Sequence, residues 1–331
     1  MSDRLGVGVV GAGRVGAVLG NALRAAGHAV VGASGVSAAT RERIETLLPG
    51  VPVLEVPDVV ERAELVLLTV PDDVLADLVA GLATLGRWQP GQLVVHTAGA
   101  MGTAVLAPAR AAGAIPLALH PAMTFTGTSL DVARLVGCTF AVTAPTPVLP
   151  IAQALVVELG GEPVVVAEED RPLYHAALAH AANHLVVLVA QAAQVLAAAG
   201  VAVPDRVLGP LLGAALDGAV RASAAAASGT TAGASGVASL TGPVVRGDVR
   251  TVEMHLAELA RLAGRDPSTA DVPASYRALA RAATTRALAG GRLRPDQAQA
   301  LLDVLAGPPS GAPDGPTDGP PDSPSSPEGE R

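Results

Sequence analysis

The sequence has no lysine. All 22 of its Lys and Arg positions are arginine, in a chain of 331 residues, so no chemical step can rest on a lysine side chain. Cysteine is nearly absent as well. The lone Cys138 excludes an intramolecular disulfide framework and a Cys-rich zinc site. Its neighbours, Val136-Gly137 and Thr139-Phe140, predict an inert thiol in or near a strand. Aromatic residues make up only 2%, which leaves Ala, Val and Leu to build the core. Positive charge is short too. The net charge of −8 argues against a nucleic-acid binder, which carries a basic stripe or patch. Met1-Ser2-Asp3-Arg4 leads into an apolar run, but glycines and Arg14 interrupt what would be a signal-peptide core. The most hydrophobic helix-like stretch, Leu185 to Ala199, carries Gln191 and Gln194 and falls short of the roughly 20 residues that span a bilayer. The expectation is a soluble, cytoplasmic protein with neither nucleic acid nor membrane as partner.

What is present suffices for a large core: half the residues are apolar and the mean hydropathy is +0.44. At roughly 100–200 residues per domain the length predicts about two domains. From residue 5 to about 168, short apolar runs alternate with amphipathic stretches. Leu5–Val10, Ala29–Ala33, Val51–Leu54, Leu65–Val70, Leu93–His96, Ile115–Leu119, Thr139–Thr143 and Pro163–Ala167 read as strands. Val15–Ala26, Ala38–Leu48, Asp73–Leu85 and Pro147–Leu159 read as helices between them. Such alternation predicts an α/β domain over 1–168 with a largely parallel, doubly wound sheet. The strands then stop. Leu173–Ala199, Pro204–Ala226, Thr251–Leu262, Pro273–Ala289 and Pro295–Leu305 predict an all-helical domain over 169–306. Residues 307–331 are Pro, Gly, Ser and acid with almost nothing to bury, which reads as a disordered, solvated tail. Ser223–Ser235, nearly all Ala, Ser, Gly and Thr, reads as a mobile segment.

Gly11-Ala12-Gly13-Arg14-Val15-Gly16 spells G-x-G-x-x-G between an apolar strand and a helix. The first glycine permits the tight turn, the second lets backbone approach a pyrophosphate, and the third allows close helix–sheet packing. The helix N-terminus adds amide donors. A tight turn with no ligand is the plainer reading. An NAD site wants an acid at the end of the second strand, but here Gly32-Ala33-Ser34-Gly35-Val36-Ser37 carries none. Ser34 and Ser37, with Arg14 and Arg41, suit the 2′-phosphate of NADP(H) instead. Arg14 reads equally well as a solvated helix residue. Two later strand ends, Val70-Pro71 and His96-Thr97, are expected to line the cofactor; Asp72 and Asp73 read at least as well as helix caps.

The run of motifs VGAGRVG, TVPDD, HTAGA, ALHPAMTFTG, YHAALAHAANHL and SLTGPVVRGD…EMHL resembles a bacterial family of oxidoreductases. Its members join a Rossmann-like domain to a helical domain of unknown function. The family is similar to ketopantoate reductases, pyrroline-5-carboxylate reductases and 3-hydroxyacid dehydrogenases. The resemblance covers most of residues 5–265. It implies an NADPH-dependent reductase of a 2-oxo acid, with 2-dehydropantoate as the foremost substrate, in pantothenate and coenzyme A synthesis. It also implies a homodimer formed through the helical domain. An imine reductase and a non-catalytic NADP(H)-binding regulatory protein are the alternatives. One departure matters. Wider relatives place a lysine four residues before an asparagine; here the asparagine is Asn183, and Ala179 stands at the lysine position.

The proton donor must then be another group, and histidines titrate in the right range. Asn183 is expected to orient the carbonyl, with His175 or His120 as acid. His120 as a loop-bonding histidine is the plainer reading. Tyr174 falls on the opposite side of its helix from Asn183, at 100° per residue. His180 and His184, at i and i+4, suit a metal pair, but no Glu or Asp completes a set and no metal is expected. Thr241, the Gly242 backbone and Arg246 are expected to hold the substrate carboxylate, since a guanidinium binds it bidentately. An Arg–Asp pair within that loop is the plainer reading, and Asp248 suits an N-cap.

Overall fold

The computed structural model describes residues 4–228 and 239–306. The expected tail at 307–331 lies outside the described residues, as does most of the expected mobile segment. The chain forms two compact units that divide at Leu185/Val186.

The first unit is built on seven strands: β1 Gly6–Val10, β2 Ala29–Ala33, β3 Leu65–Leu68, β4 Leu93–His96, β5 Ile115–Pro121, β6 Thr139–Thr143 and β7 Glu162–Val165. They lie in the order β2-β1-β3-β4-β5-β6-β7. Every neighbouring pair is parallel except β5 and β6, which are antiparallel. The helices are α1 Arg14–Ala25, α2 Ala38–Leu47, α3 Val56–Arg62, α4 Asp72–Thr84, α5 Ala107–Ala111, α6 Ser129–Arg134 and α7 Leu149–Glu158. The central strands read as unbroken apolar runs because helices cover both faces. Leu65 and Leu67 of β3 enter one core with α1, α2 and α7, while Val66 and Leu68 enter the other with α3, α4 and Trp88. That split follows the two-residue period of a strand.

Val51–Leu54 is not a strand: only Val53 bridges to Ala33. Pro52 has no amide to donate to a ladder, and the chain turns at once into α3, which has Pro57 in its first turn. This helix packs tightly on β1. A Cβ at Gly8 would come within 2.9 Å of the Ala63 Cβ and the Val59 carbonyl oxygen. Asp72 and Asp73 sit in the first turn of α4 with Pro71 at the cap position, so neither carboxylate is the N-cap.

The remaining helices are α8 Arg171–Ala198, α9 Pro204–Ala227, α10 Pro243–Arg246, α11 Val249–Arg265, α12 Val272–Ala289 and α13 Pro295–Ala306. The α8 helix runs across the boundary between the units. The second unit has a core of its own in which Val252, Leu256, Ala280, Ala287, Leu301 and Leu305 of α11–α13 meet. Gln191 ties α8 to α12 by donating to Asp271 (2.7 Å) and Ser275 (2.9 Å). At 28 residues α8 is longer than the apolar stretch read from Leu185, and its length and composition match those of a membrane-crossing helix. Its His180, Asn183, His184, Gln191 and Gln194 are polar groups that hydrocarbon does not satisfy. Asp248 caps α11, accepting from the Thr251 amide (3.1 Å) and hydroxyl (2.7 Å).

Candidate cofactor and active site

The glycine loop is locked from both sides. Gly11 has φ of 81°, in the region that favours glycine. Its amide donates to Ser34 Oγ (3.0 Å), and its carbonyl accepts from Thr69 Oγ1 (2.7 Å). The Ala12 amide donates to the Ser34 carbonyl (2.8 Å). A Cβ at Gly16 would fall 2.2 Å from Thr69 Oγ1 and 2.7 Å from the Gly11 carbonyl, so the third position accepts only glycine without a shift. A Cβ at Gly13 would meet nothing closer than the Gly11 carbonyl at 3.8 Å, which leaves the face of the loop open for a ligand.

In front of the loop lies a cavity of about 540 Å³. Gly11, Gly13, Ser34, Ser37, Val70 and Pro71 line it, as the sequence leads one to expect. Ala12 and Gly16 are buried within the turn and Val15 is half-buried against the core, so these three shape the loop. Arg14 is exposed at the start of α1 and lies outside the cavity lining. Its side chain runs beside Gly127, where a Cβ would come 2.9 Å from Arg14 Cγ and 2.8 Å from Arg43 Nε. Asp131 holds that turn by accepting from the amides of Thr126 and Gly127, both at 2.7 Å. Burial works to raise the Asp131 pKa, but those hydrogen bonds bring it below the usual carboxylate range. Thr97 does not reach the nucleotide cavity; it borders a void of about 10 Å³ among Leu19, Leu67 and Phe140.

Sequence reasoning missed Thr40, Val56, Val74, Asp77 and Leu78, all on the cavity wall. Thr40 was open to discovery, since Ser37 caps α2 by accepting from the Thr40 amide (3.1 Å), and the two hydroxyls stand 2.9 Å apart. The one carboxylate in the lining, Asp77, comes from α4 and not from the end of β2, where an NAD site places its acid. The open glycine cradle, the capped start of α2 and the apolar wall fit a dinucleotide.

Further along the same sheet edge, β5 brings His120 against the first turn of α8. His120 Nδ1 lies 3.0 Å from the Tyr174 hydroxyl, the two rings meeting edge-on. The His175 ring stands edge-on to His120 at 5.9 Å. Gly99, just beyond β4, makes this possible, because a Cβ there would lie 2.1 Å from His175 Nδ1 and 2.9 Å from His120 Nε2. Beneath them is the fully buried Arg171. It donates to the carbonyls of Ala118 (2.7 Å) and Ala141 (3.1 Å) and to Thr143 Oγ1 (2.8 Å).

Burial first, then the Arg171 charge, lowers the His120 pKa to about 4. His96 is lowered to about 4 chiefly by burial, and it is held between the Gly102 carbonyl (2.8 Å) and the Ala98 amide (3.2 Å). Both imidazoles are therefore neutral near neutral pH. Of the three expected catalytic residues, His120 and His175 come together and Asn183 stands apart. Asn183 is exposed, two turns or about 12 Å along α8 from His175. His180 and His184 pair with each other, Nδ1 to Nδ1, at 2.9 Å. Among the described residues no group of three His, Cys, Asp or Glu side chains is placed to hold a metal.

In the second unit Thr241 borders a largely apolar cavity of about 830 Å³, together with Tyr276 and His255. Gly242 starts α10 with φ of 103°, and Arg246 ends it, exposed. Asp248 accepts from the Thr251 amide and hydroxyl, and among the described residues no ion pair joins it to Arg246.

Residues 1–121 match the model of a Rossmann-like domain, and residues 138–283 match a domain of unknown function, DUF2520. The chain joins these two domains. No curated protein matches it. Among solved structures it is similar to a protein from Bacteroides fragilis described as an NADP oxidoreductase, with 21% identity, 85% of this chain and 98% of that one covered, and a TM-score of 0.64. It is also similar to an imine reductase from Pseudomonas sp. (17% identity, 92% and 100% covered, TM-score 0.60). A third is a reductive aminase from Aspergillus terreus solved with NADPH and ethyl levulinate (16%, 91% and 99%, TM-score 0.58). At these identities the likeness establishes the fold.

Proposed function

We propose that the chain is an NADPH-dependent oxidoreductase that reduces a small 2-oxo acid, with 2-dehydropantoate as the foremost substrate. The observation that carries the cofactor choice is the glycine-lined cavity whose β2 end offers Ser37 and Thr40 and no carboxylate. Ser34 lines the same cavity; its oxygen accepts from Gly11 as that of Ser37 accepts from Thr40, and each keeps a hydroxyl hydrogen to donate to a 2′-phosphate. The named activities of the structural neighbours support a reductase. His120 and His175 belong to its reaction centre. Asn183, exposed about 12 Å along α8 from His175, is not placed in that centre.

A second reading, an imine reductase, is favoured by the absence of lysine. An imine that arrives protonated asks less of the protein. Neighbours named imine reductase and reductive aminase, each covering more than 90% of this chain, support it. A binding protein without turnover is the third.

The proposed assembly is a cytoplasmic homodimer formed through the helices. It is supported by apolar side chains left at the surface of α8 and α9, such as Val186 (70% exposed) and Leu211 (61%). One spectrophotometric assay sorts the readings. Loss of NADPH absorbance with 2-dehydropantoate, much faster than with NADH, supports the 2-oxo acid reductase. Turnover of a cyclic imine alone moves the assignment to the second reading, and turnover of neither leaves the binding protein.

A further inference from the structure

Hydride transfer to a carbonyl needs a proton delivered at the oxygen, and the two histidines expected to supply it are poorly suited. His120 is a neutral imidazole near neutral pH, held so by its burial and by Arg171, and has no imidazolium proton to give. His175 Nδ1 is buried without a hydrogen-bond partner, against the backbone of Gly99. Tyr174 differs from both. Its hydroxyl is half-buried at the sheet edge, in contact with His120 and one turn from the Arg171 guanidinium on the same helix.

We propose that Tyr174 is the proton donor of this enzyme and that His120 is the positioning residue that aims its hydroxyl. The proposal rests on the reductase reading. In the tautomer with its hydrogen on Nδ1, His120 donates to Tyr174 Oη and leaves the phenolic hydrogen free to point at the substrate. In the other tautomer the phenol would spend that hydrogen on His120. Gly99 leaves room for both rings, since a Cβ at that position would collide with both histidines.

A reduced nicotinamide supplies the hydride when bound. As the new C–H bond forms, the Tyr174 O–H bond breaks and its proton passes to the carbonyl oxygen, giving the alcohol. The phenolate left behind accepts the Nδ1–H bond of His120 and feels the buried Arg171 charge. A solvent proton then restores the phenol, so one hydride and one proton are consumed per turnover.

The charged and titratable groups around the pair are consistent with this role. His96 of β4 is neutral, Glu168 is occupied by the amides of Thr103 and Ala104, and the half-buried Cys138 thiol is pushed up by burial. His175 adjoins His120, and Arg171, partly balanced by the Glu168 charge, is the cation that acts on the phenol. Burial raises the Tyr174 pKa while Arg171 pulls it down, so the phenol keeps its proton through the working range and its anion has a stabilising partner.

The chain has two tyrosines, so a Tyr276→Phe background leaves Tyr174 as the sole tyrosinate signal. In that background the tyrosinate ultraviolet band reports Tyr174 directly, and His120→Phe should move its midpoint upward by about one pH unit, with His120→Asn restoring part of the shift. Tyr174→Phe should lower kcat by about 10²–10³-fold and leave the NADPH Kd, read by fluorescence titration, within about twofold. A Tyr174→Phe enzyme that keeps kcat within about threefold overturns the assignment while the reductase reading stands. A Tyr174 midpoint that ignores His120 overturns the pairing. A wild-type protein that reduces neither 2-oxo acids nor imines removes the reductase reading, and the assignment falls with it.

Discussion

The two units bury their apolar residues to very different extents. In the first, β1, β3, β4 and β5 are sealed by helices on both faces, and the large aliphatics of two cores are nearly all inaccessible. In the second, α11, α12 and α13 form one small core, while α8 and α9 leave Val186, Leu188, Leu211, Leu216 and Val220 exposed. A long helix of which 6% of the most apolar window is buried gains little from tertiary packing. The first unit seals most of its apolar residues; the second leaves an apolar surface on α8 and α9. Polar groups follow the same division. The first unit buries Arg171, His96 and Asp131, each with several hydrogen bonds, and so stakes its stability on a charge network.

Acid should break the first unit most severely. His96 and His120 titrate near 4 when folded, against 6.5 when free, so between those values the unfolded chain binds more protons. Stability is therefore complete above about pH 6.5 and is lost as pH falls toward 4, by at most about 3 kcal/mol for each histidine. Thermal melts between pH 4 and 7 should show the midpoint falling steeply, and His96→Asn should flatten the slope. A flat profile in the wild type would contradict the burial described. Next in size is Arg171→Met, which strands the carbonyls of Ala118 and Ala141 and the Thr143 hydroxyl. A loss of about 3 kcal/mol is expected from urea unfolding. Removing the guanidinium also lets His120 titrate higher, which an NMR pH titration of the imidazoles would register.

Much of the first unit was legible because its signals are local. β2, β4 and β6 have the bounds that their apolar runs dictate, and the glycine spacing alone located the cavity. What failed depended on contacts distant in sequence. Val51–Leu54 reads as a strand by composition, yet Pro52 and the close approach of α3 to β1 reduce it to one bridge. Thr97 follows the right strand but borders the opposite core. The Tyr174–His120 contact joins residues 54 apart, and nothing in either local sequence announces it.

The second unit should respond to charge where the first responds to acid. Val186→Asp and Leu211→Asp each place a carboxylate on an exposed apolar face without touching a core. Light scattering should show the proposed dimer weakened by about 2 kcal/mol or roughly 30-fold in Kd for each change. NADPH affinity, set in the first unit, should stay unchanged. A wild type that runs as a monomer at micromolar concentration would remove the asymmetry on which this expectation rests.

The smallest expected effect sharpens the comparison inside the first unit itself. Ser37→Ala removes a hydroxyl that accepts from the Thr40 amide, a cap worth about 1 kcal/mol. It also removes a donor from the β2 end of the cavity, where no acid competes for the ribose. Loss of one charge-assisted hydrogen bond to a 2′-phosphate should weaken NADPH about tenfold and leave NADH untouched. Ser34→Ala lies in the same cavity but should act differently: it unpairs the Gly11 amide and so loosens the turn that both cofactors share. Equal losses for NADPH and NADH at Ser34, with a selective loss at Ser37, would separate the residue that builds the loop from the one that reads the phosphate. Selective loss at Ser34 instead would reverse those two roles.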